Sequence, residues 1–160
     1  MLLIQMNGKE FIAKILGGEK DLKGIILPAY YDLTDHEEYG TMQQYLKEHV
    51  DKRIDLSDSI MIGIVATGIY LPRVIARGTY LRGANLGKAY LGGAYLEEAY
   101  LGKANLRGAN LREANLIGVK NFETTINFED ATFNCAVMDP ETKEIIIAAR
   151  RATEETYVVE

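Results

Sequence analysis

A chain of 160 residues, 48% hydrophobic and 26% charged, has the length and composition of one globular domain, which excludes a disordered or collagen-like polymer. Eighteen Lys and Arg against 23 Asp and Glu leave a formal charge of -5 and a pI near 5.2, so the global electrostatics disfavour a basic nucleic-acid binder. The single Cys excludes an internal disulfide, no Asn-x-Ser/Thr acceptor occurs, and the most apolar run, Ser59 to Leu71, is well short of the ~20 residues of a membrane helix, so a cytoplasmic protein away from membranes is expected.

From the N-terminus, LLIQM-NG-KEFIAKIL is an apolar stretch centred on Asn7-Gly8, a strong signal for a type I′ turn, and predicts a β-hairpin cap over 1–19. Lys20-Asp21-Leu22 and Ile25-Ile26-Leu27 then look like two units of a five-residue pattern that becomes regular further on. A polar insertion at about 35–53 interrupts it. Inside that insertion Met42, Tyr45, Leu46 and His49 recur 3 and 4 apart, which predicts a short amphipathic helix over 41–53.

From residue 54 the pattern is continuous. Residues 79–118 read TYLRG ANLGK AYLGG AYLEE AYLGK ANLRG ANLRE ANLIG, with Leu at every fifth position and Ala two residues before nearly every one. The same frame runs back to Ile54, giving 13 repeats over 54–118. Where the third position shrinks to Ala66 or Ala76, the first grows to Ile64 or Val74, the compensation expected of two positions that share one interior. After Leu116 the frame slips by two residues across 119–125, which predicts a bulge, and resumes as Ile126-Asn127-Phe128, Ala131-Thr132-Phe133 and Ala136-Val137-Met138. At the C-terminus Asp139 is placed as N-cap and Pro140 as first helical residue, and 141–160 is read as a cap, helix in the first instance, with strand kept open by Ile145-Ile146-Ile147.

A period of five fits neither an α-helix nor a flat strand, so each unit must hold a corner. All ten glycines of 54–118 occupy the fourth or fifth position, where a turn asks for positive φ. Chains that turn at every unit and stack coil on coil form solenoids. These residues resemble the pentapeptide-repeat proteins, whose consensus is Ala-(Asp/Asn)-Leu-x-x. The resemblance covers about 54–140 and implies an all-β fold, a right-handed quadrilateral β-helix spanning 20–140, with four repeats per coil, first and third positions inside and residues 20 apart stacked on one face. The sequence departs from the consensus at the second position, where Tyr80, Tyr90, Tyr95 and Tyr100 replace Asp or Asn. Ile60, Ile62 and Val65 fall at outward positions and need a cover, either the insertion or the N-terminal hairpin; a homodimer interface is the rival cover.

No phosphate-cradling loop, metal-spaced Cys/His cluster or nucleophile motif occurs, so no enzyme, catalytic residue, metal or cofactor is expected. His36 and His49 lack partners in sequence, Cys135 is a lone thiol, and Glu97-Glu98 reads as a solvated charge pair. The candidate partner-binding residues are Tyr70, Tyr80, Tyr90, Tyr95 and Tyr100, all at the outward second position. Folding at 20 residues per coil puts Tyr80 over Tyr100 and Tyr70 over Tyr90, either as surface stiffening by stacking or as a surface for a protein partner. The resemblance implies two roles: a non-enzymatic interaction scaffold, or a modulator of DNA gyrase and related topoisomerases that imitates DNA with an acidic column. Residues 54–118 hold seven basic and five acidic side chains, the wrong sign for such a column, so the scaffold is the first reading and direct nucleic-acid binding is not expected.

Overall fold

The computed structural model describes residues 3–156. The first residues fold differently from a hairpin. A two-residue strand β1 (Ile4–Gln5) is followed by helix α1 (Gly8–Leu16), and β1 pairs in parallel with strand β2 (Ile25–Ile26), Ile4 opposite Ile25 and Gln5 opposite Ile26. The Asn-Gly pair starts a helix because Asn7 and Glu10 form a capping box. Glu10 N–H donates to Asn7 Oδ1 at 2.9 Å and Asn7 N–H to Glu10 Oε2 at 2.8 Å. The helix then sinks Phe11, Ile12 and Ile15 into the core, burial that a two-stranded ribbon could not achieve. Gly8 serves packing here, since a Cβ at that position would fall inside the Tyr31 ring.

The repeats form a β-solenoid. Parallel bridges join residues 20 apart, as in Asp55↔Ile75↔Tyr95↔Asn115, so four pentapeptides make one coil. Each repeat distributes its amides in one way. The third-position N–H donates up to the second-position carbonyl of the next coil (Leu81 to Tyr100, 2.9 Å), and the second-position N–H donates down (Tyr80 to Ser59, 2.8 Å). The fifth-position N–H donates up (Gly83 to Gly102, 2.9 Å), and the first closes the corner on the third (Ala84 to Leu81, 3.0 Å). First and third positions are buried along the whole of 54–116. All thirteen fifth positions have positive φ, and six of them are not glycine, among them Arg73 at 56° and Lys88 at 57°. The corner therefore imposes the left-handed conformation on whichever residue stands there. Fourth-position Gly87, Gly92 and Gly102 do not adopt it.

Residues 21–33 form a partial coil beneath the first regular one, through the bridges Asp21↔Asp55, Ile26↔Ile60 and Asp32↔Val65. That coil, and neither the insertion nor a hairpin, lies under Ile60 and Val65; Ile62 lines an open groove of about 590 Å³ with Met6, Pro28 and Ile60. The insertion covers the side that this partial coil leaves open, that of Tyr70 and Tyr90. Its helix α2 (Tyr39–Glu48) is shorter and earlier than the 41–53 expected, burying Met42 and Leu46 while His49 ends it. Gln43 Oε1 accepts the Tyr70 N–H at 2.7 Å where a strand of the preceding coil is missing, and the Tyr39 hydroxyl donates to the Thr67 carbonyl at 3.0 Å.

The frame slip is shared between two corners. Tyr100 bridges Lys120, but Asn105 bridges Ile126 and Asn110 bridges Thr132, so the last coil gains one residue at a 3-10 turn, Phe122–Thr124, and one at Asn127. Thr125 is thus the inward first-position residue, its hydroxyl bonded to the Leu101 carbonyl at 2.9 Å, and Ile126 points out, one residue off the sequence-based frame. Helix α3 (Pro140–Thr156) closes this end, settling the helix-or-strand alternative over the described part of 141–160; residues 157–160 lie outside the described residues, as do 1–2 of the N-terminal cap. Asp139 precedes it, yet its Oδ2 accepts the Gly118 N–H at 2.6 Å, so the side chain caps a solenoid corner. Three helices beside the coils mean that the fold is a β-solenoid with helical caps and not an all-β chain.

Two outcomes test this packing. Leu96→Ala and Leu101→Ala, at buried third positions, should each destabilise the fold by about 2–5 kcal/mol, while Asn105→Ala should cost about 1 kcal/mol, so equal denaturation midpoints for all three would contradict the inward assignment. Burial, aided by the nearby Asp32 carboxylate, pushes the Tyr39 phenol up to about 12. Its folded value exceeds its unfolded one, so its contribution is complete below pH 10 and is lost as pH rises through about 12. The stability gap between wild type and Tyr39→Phe should therefore close across that window in alkaline denaturation; a gap constant with pH would show that the phenol does not anchor α2.

Candidate partner surface

The second position is where this solenoid can be written on, and the reason is one spare amide. Every repeat leaves its fourth-position N–H outside the coil-to-coil ladder. Where the second residue is Asp or Asn, its side chain takes that donor. Asp55 accepts from Ser57 at 3.0 Å, Asn85 from Gly87 at 3.2 Å, Asn105 from Arg107 at 3.0 Å, Asn110 from Arg112 at 3.0 Å and Asn115 from Ile117 at 3.2 Å. A tyrosine cannot reach back in this way. After Tyr80, Tyr90, Tyr95 and Tyr100 the fourth-position N–H groups of Arg82, Gly92, Glu97 and Gly102 have no partner among the described residues. After Tyr70 the fourth residue is Pro72, which has no N–H to satisfy. Tyr80, Tyr90, Tyr95 and Tyr100 thus each forgo a hydrogen bond worth about 0.5–1.5 kcal/mol, and ring contacts return part of it.

The five rings fall on three sides of the solenoid. Tyr80 and Tyr100 stack with centroids 4.3 Å apart and planes 7° from parallel; Tyr70 and Tyr90 stack at 4.9 Å and 22°. The neighbouring Tyr100 phenol raises the Tyr80 phenol above its ordinary value, first by a side-chain hydrogen bond that favours the protonated form of Tyr80 and then by repulsion between the two phenolates. Tyr95 stands between Ile75 and Asn115 with the Arg77 guanidinium 5.2 Å from its ring centroid, and Arg77 Nε reaches Glu97 Oε1 at 3.2 Å. Asn85 and Asn105 occupy the fourth side. Tyr80 and Tyr90 expose 40% and 42% of their surface, the others less, so the structure brings the tyrosines together as two pairs and a single ring and not as one patch.

The remaining candidates are structural in their contacts. His49 stacks on Tyr45 at 4.1 Å with Nδ1 2.8 Å from the Tyr45 carbonyl oxygen, and His36 Nδ1 accepts the Glu38 N–H at 3.2 Å. Cys135 is exposed at a positive-φ corner. Glu97 departs from the solvated pair expected of Glu97-Glu98: Asn115 Nδ2 donates to its Oε1 at 2.9 Å, Oε2 is buried without a partner, and only Glu98 stands in solvent. Among the described residues no group of three or more His, Cys, Asp and Glu is placed to hold a metal ion, and no helix is long and apolar enough to cross a membrane.

Sequence reasoning missed the corner between Tyr90 and Tyr95. Two clefts of about 420 and 360 Å³ flank it and share Arg73, Gly93 and Glu113; Tyr90 and Arg112 line the first, Arg53 and Tyr95 the second. The signal was available, because Arg53, Arg73, Gly93 and Glu113 are spaced by 20 and Gly92-Gly93 is the one repeat of thirteen with glycine at both corner positions.

The family model described as "Pentapeptide repeats (8 copies)" matches residues 88–120, inside the most regular part of these coils. Residues 88–120 are a run of pentapeptide repeats. Among solved structures its fold is similar to a trypsin-treated form of QnrB1, a plasmid-mediated fluoroquinolone resistance protein, at TM-score 0.60 and 8% identity over 81% of this chain and 55% of that one. A pentapeptide repeat protein from the Arabidopsis thaliana thylakoid lumen aligns at TM-score 0.41 and 28% identity, covering 52% of this chain and 50% of that one. Rfr23, a pentapeptide repeat protein of the cyanobacterium Cyanothece 51142, aligns at TM-score 0.41 and 25% identity, covering 85% and 88%. The chain spans about half the length of the first two. No curated protein matches the sequence.

Proposed function

We propose that this repeat protein is a non-enzymatic scaffold that holds a protein partner against its tyrosine-bearing sides. The observation that carries the reading is the trade at the second position, where the repeats of Tyr80, Tyr90, Tyr95 and Tyr100 give up the hydrogen bond that Asp or Asn makes to the fourth-position N–H and present a ring instead. Rings on a rigid ladder lose little entropy on contact, so a few of them can supply most of an interface. Replacing Tyr90, Tyr95 and Tyr100 by Asn restores the missing bonds and removes the rings, so thermal stability should stay close to that of wild type while retention of the partner in a pull-down falls away. Early unfolding of the triple variant would make the rings structural; a folded variant that retains the partner undiminished would move the interface elsewhere.

A second reading, modulation of DNA gyrase by imitation of DNA, is favoured by the likeness of fold to QnrB1. Charge weighs against it, since the regular coils carry Arg73, Arg77, Arg82, Lys88, Lys103, Arg107 and Arg112 against five acids, and a phosphate-like column must be acidic. In a supercoiling assay the protein should leave gyrase uninhibited and unprotected; inhibition at low micromolar protein would reverse the order of the two readings.

A further inference from the structure

The corner between Tyr90 and Tyr95 combines three features found together nowhere else along the repeats. Gly92 and Gly93 leave it without side chains for one coil, opening a notch between Arg73 on one side and Arg112 with Glu113 on the other. The notch is not empty of chemistry: the Arg73 stem crosses Gly93, with Cγ 3.2 Å from where a Cβ would stand, and the Tyr90 ring flanks Gly92 at 3.5 Å. Arg53 stands 20 residues before Arg73, and the two arginines line one cleft together. Both are exposed, and neither makes an ion pair among the described residues, whereas Arg77 and Arg112 are held by Glu97 and Glu113 at 3.2 Å. The adjoining cleft, which shares Arg73, is lined by Val50, Tyr70, Pro72 and Tyr90 beside Asn110 and Arg112.

We propose that this corner binds an acidic segment of a partner protein, with a carboxylate docked on the guanidiniums of Arg53 and Arg73 and a neighbouring apolar side chain laid along Tyr70, Pro72 and Tyr90. The planar guanidinium fork matches a carboxylate in two parallel hydrogen bonds. A singly charged carboxylate suits the corner better than a phosphate dianion, because Glu113 lines both clefts and offsets part of the arginine charge. Clefts of about 420 and 360 Å³ are of the size that accepts small ligands or single side chains, not a folded domain. The site rests on the scaffold reading above and gives one side of it a chemistry.

The probe is a fluorescein-labelled synthetic peptide that alternates Glu with Leu, followed by anisotropy. It should saturate the full-length protein below about 1 mM, and the double variant Arg53→Gln/Arg73→Gln should weaken it at least about tenfold. Removing two charges elsewhere, in Arg82→Gln/Lys103→Gln, should leave binding unchanged, and thermal melting checks that both variants are folded. Raising salt from about 0.1 M to about 1 M shortens the screening length from ~10 Å to ~3 Å and should weaken binding to wild type. The proposal is overturned if the peptide does not bind, if its Gln-for-Glu counterpart binds equally, if the arginine variant binds like wild type, or if inorganic phosphate displaces the peptide more readily than acetate does. None of these outcomes touches the pull-down with the tyrosine variant, so this site and the scaffold reading can fail separately.

Discussion

The molecule depends on a ladder of main-chain hydrogen bonds that runs along the solenoid axis and joins residues 20 apart. A repeat has five amides, and the ladder and its corner fix four of them: the second, third and fifth bond to neighbouring coils and the first closes its own turn. That allocation leaves no freedom in spacing, which is why the inward first and third positions repeat as small and large apolar residues and why every fifth residue turns left-handed whether or not it is glycine. One amide, at the fourth position, stays uncommitted. Much of the chemical variation on the flat sides of this protein is a choice about that donor, to satisfy it with Asn or Asp or to forgo it for an aromatic ring or, at Ile60, Val65 and Ile75, an aliphatic side chain.

A ladder has ends, and unpaired ends would recruit further strands. Here single side chains act as rungs. Gln43 supplies an acceptor for Tyr70 at the lower end, and Arg150 Nη2 donates at 2.8 Å to the Ala131 carbonyl at the upper end, where a further coil would place an amide. Carboxylates do the same work at widened corners, Asp130 for the Gly108 N–H and Asp139 for the Gly118 N–H. Buried hydroxyls follow the same logic: Ser59 and Thr79 stand inside, and each donates to a leucine carbonyl below.

The coils were legible in the sequence because the period of five is strict and volume is conserved across Ile64–Ala66 and Val74–Ala76. The stacking of Tyr80 on Tyr100 and of Tyr70 on Tyr90 followed from the count of 20 alone. What was lost depended on competition between two local codes or on neighbours that sequence does not show. Asn7-Gly8 suits a tight turn, and Asn7 with Glu10 suits a helix cap; burial of Phe11, Ile12 and Ile15 decided between them. The widened last coil looked like one slip because Thr125, a polar residue, hides inside by bonding to Leu101. The basic corner is legible only when Arg53, Arg73, Gly93 and Glu113 are set 20 apart, since no single repeat carries its charge.

Gln43 and Arg150 plug the same side, that of Tyr70, Tyr90, Asn110 and Thr132. Adding one pentapeptide between them would rotate everything beyond it by a quarter turn, part the stacked rings and bring Arg150 above the wrong column. Adding 20 residues would lengthen the molecule and leave both plugs in place. Growth by whole coils is therefore the only kind that keeps both plugs in register, while single-residue insertions fall in the end coils, one between Ile26 and Asp32 and others such as Asn127 in the last, outside the thirteen regular repeats.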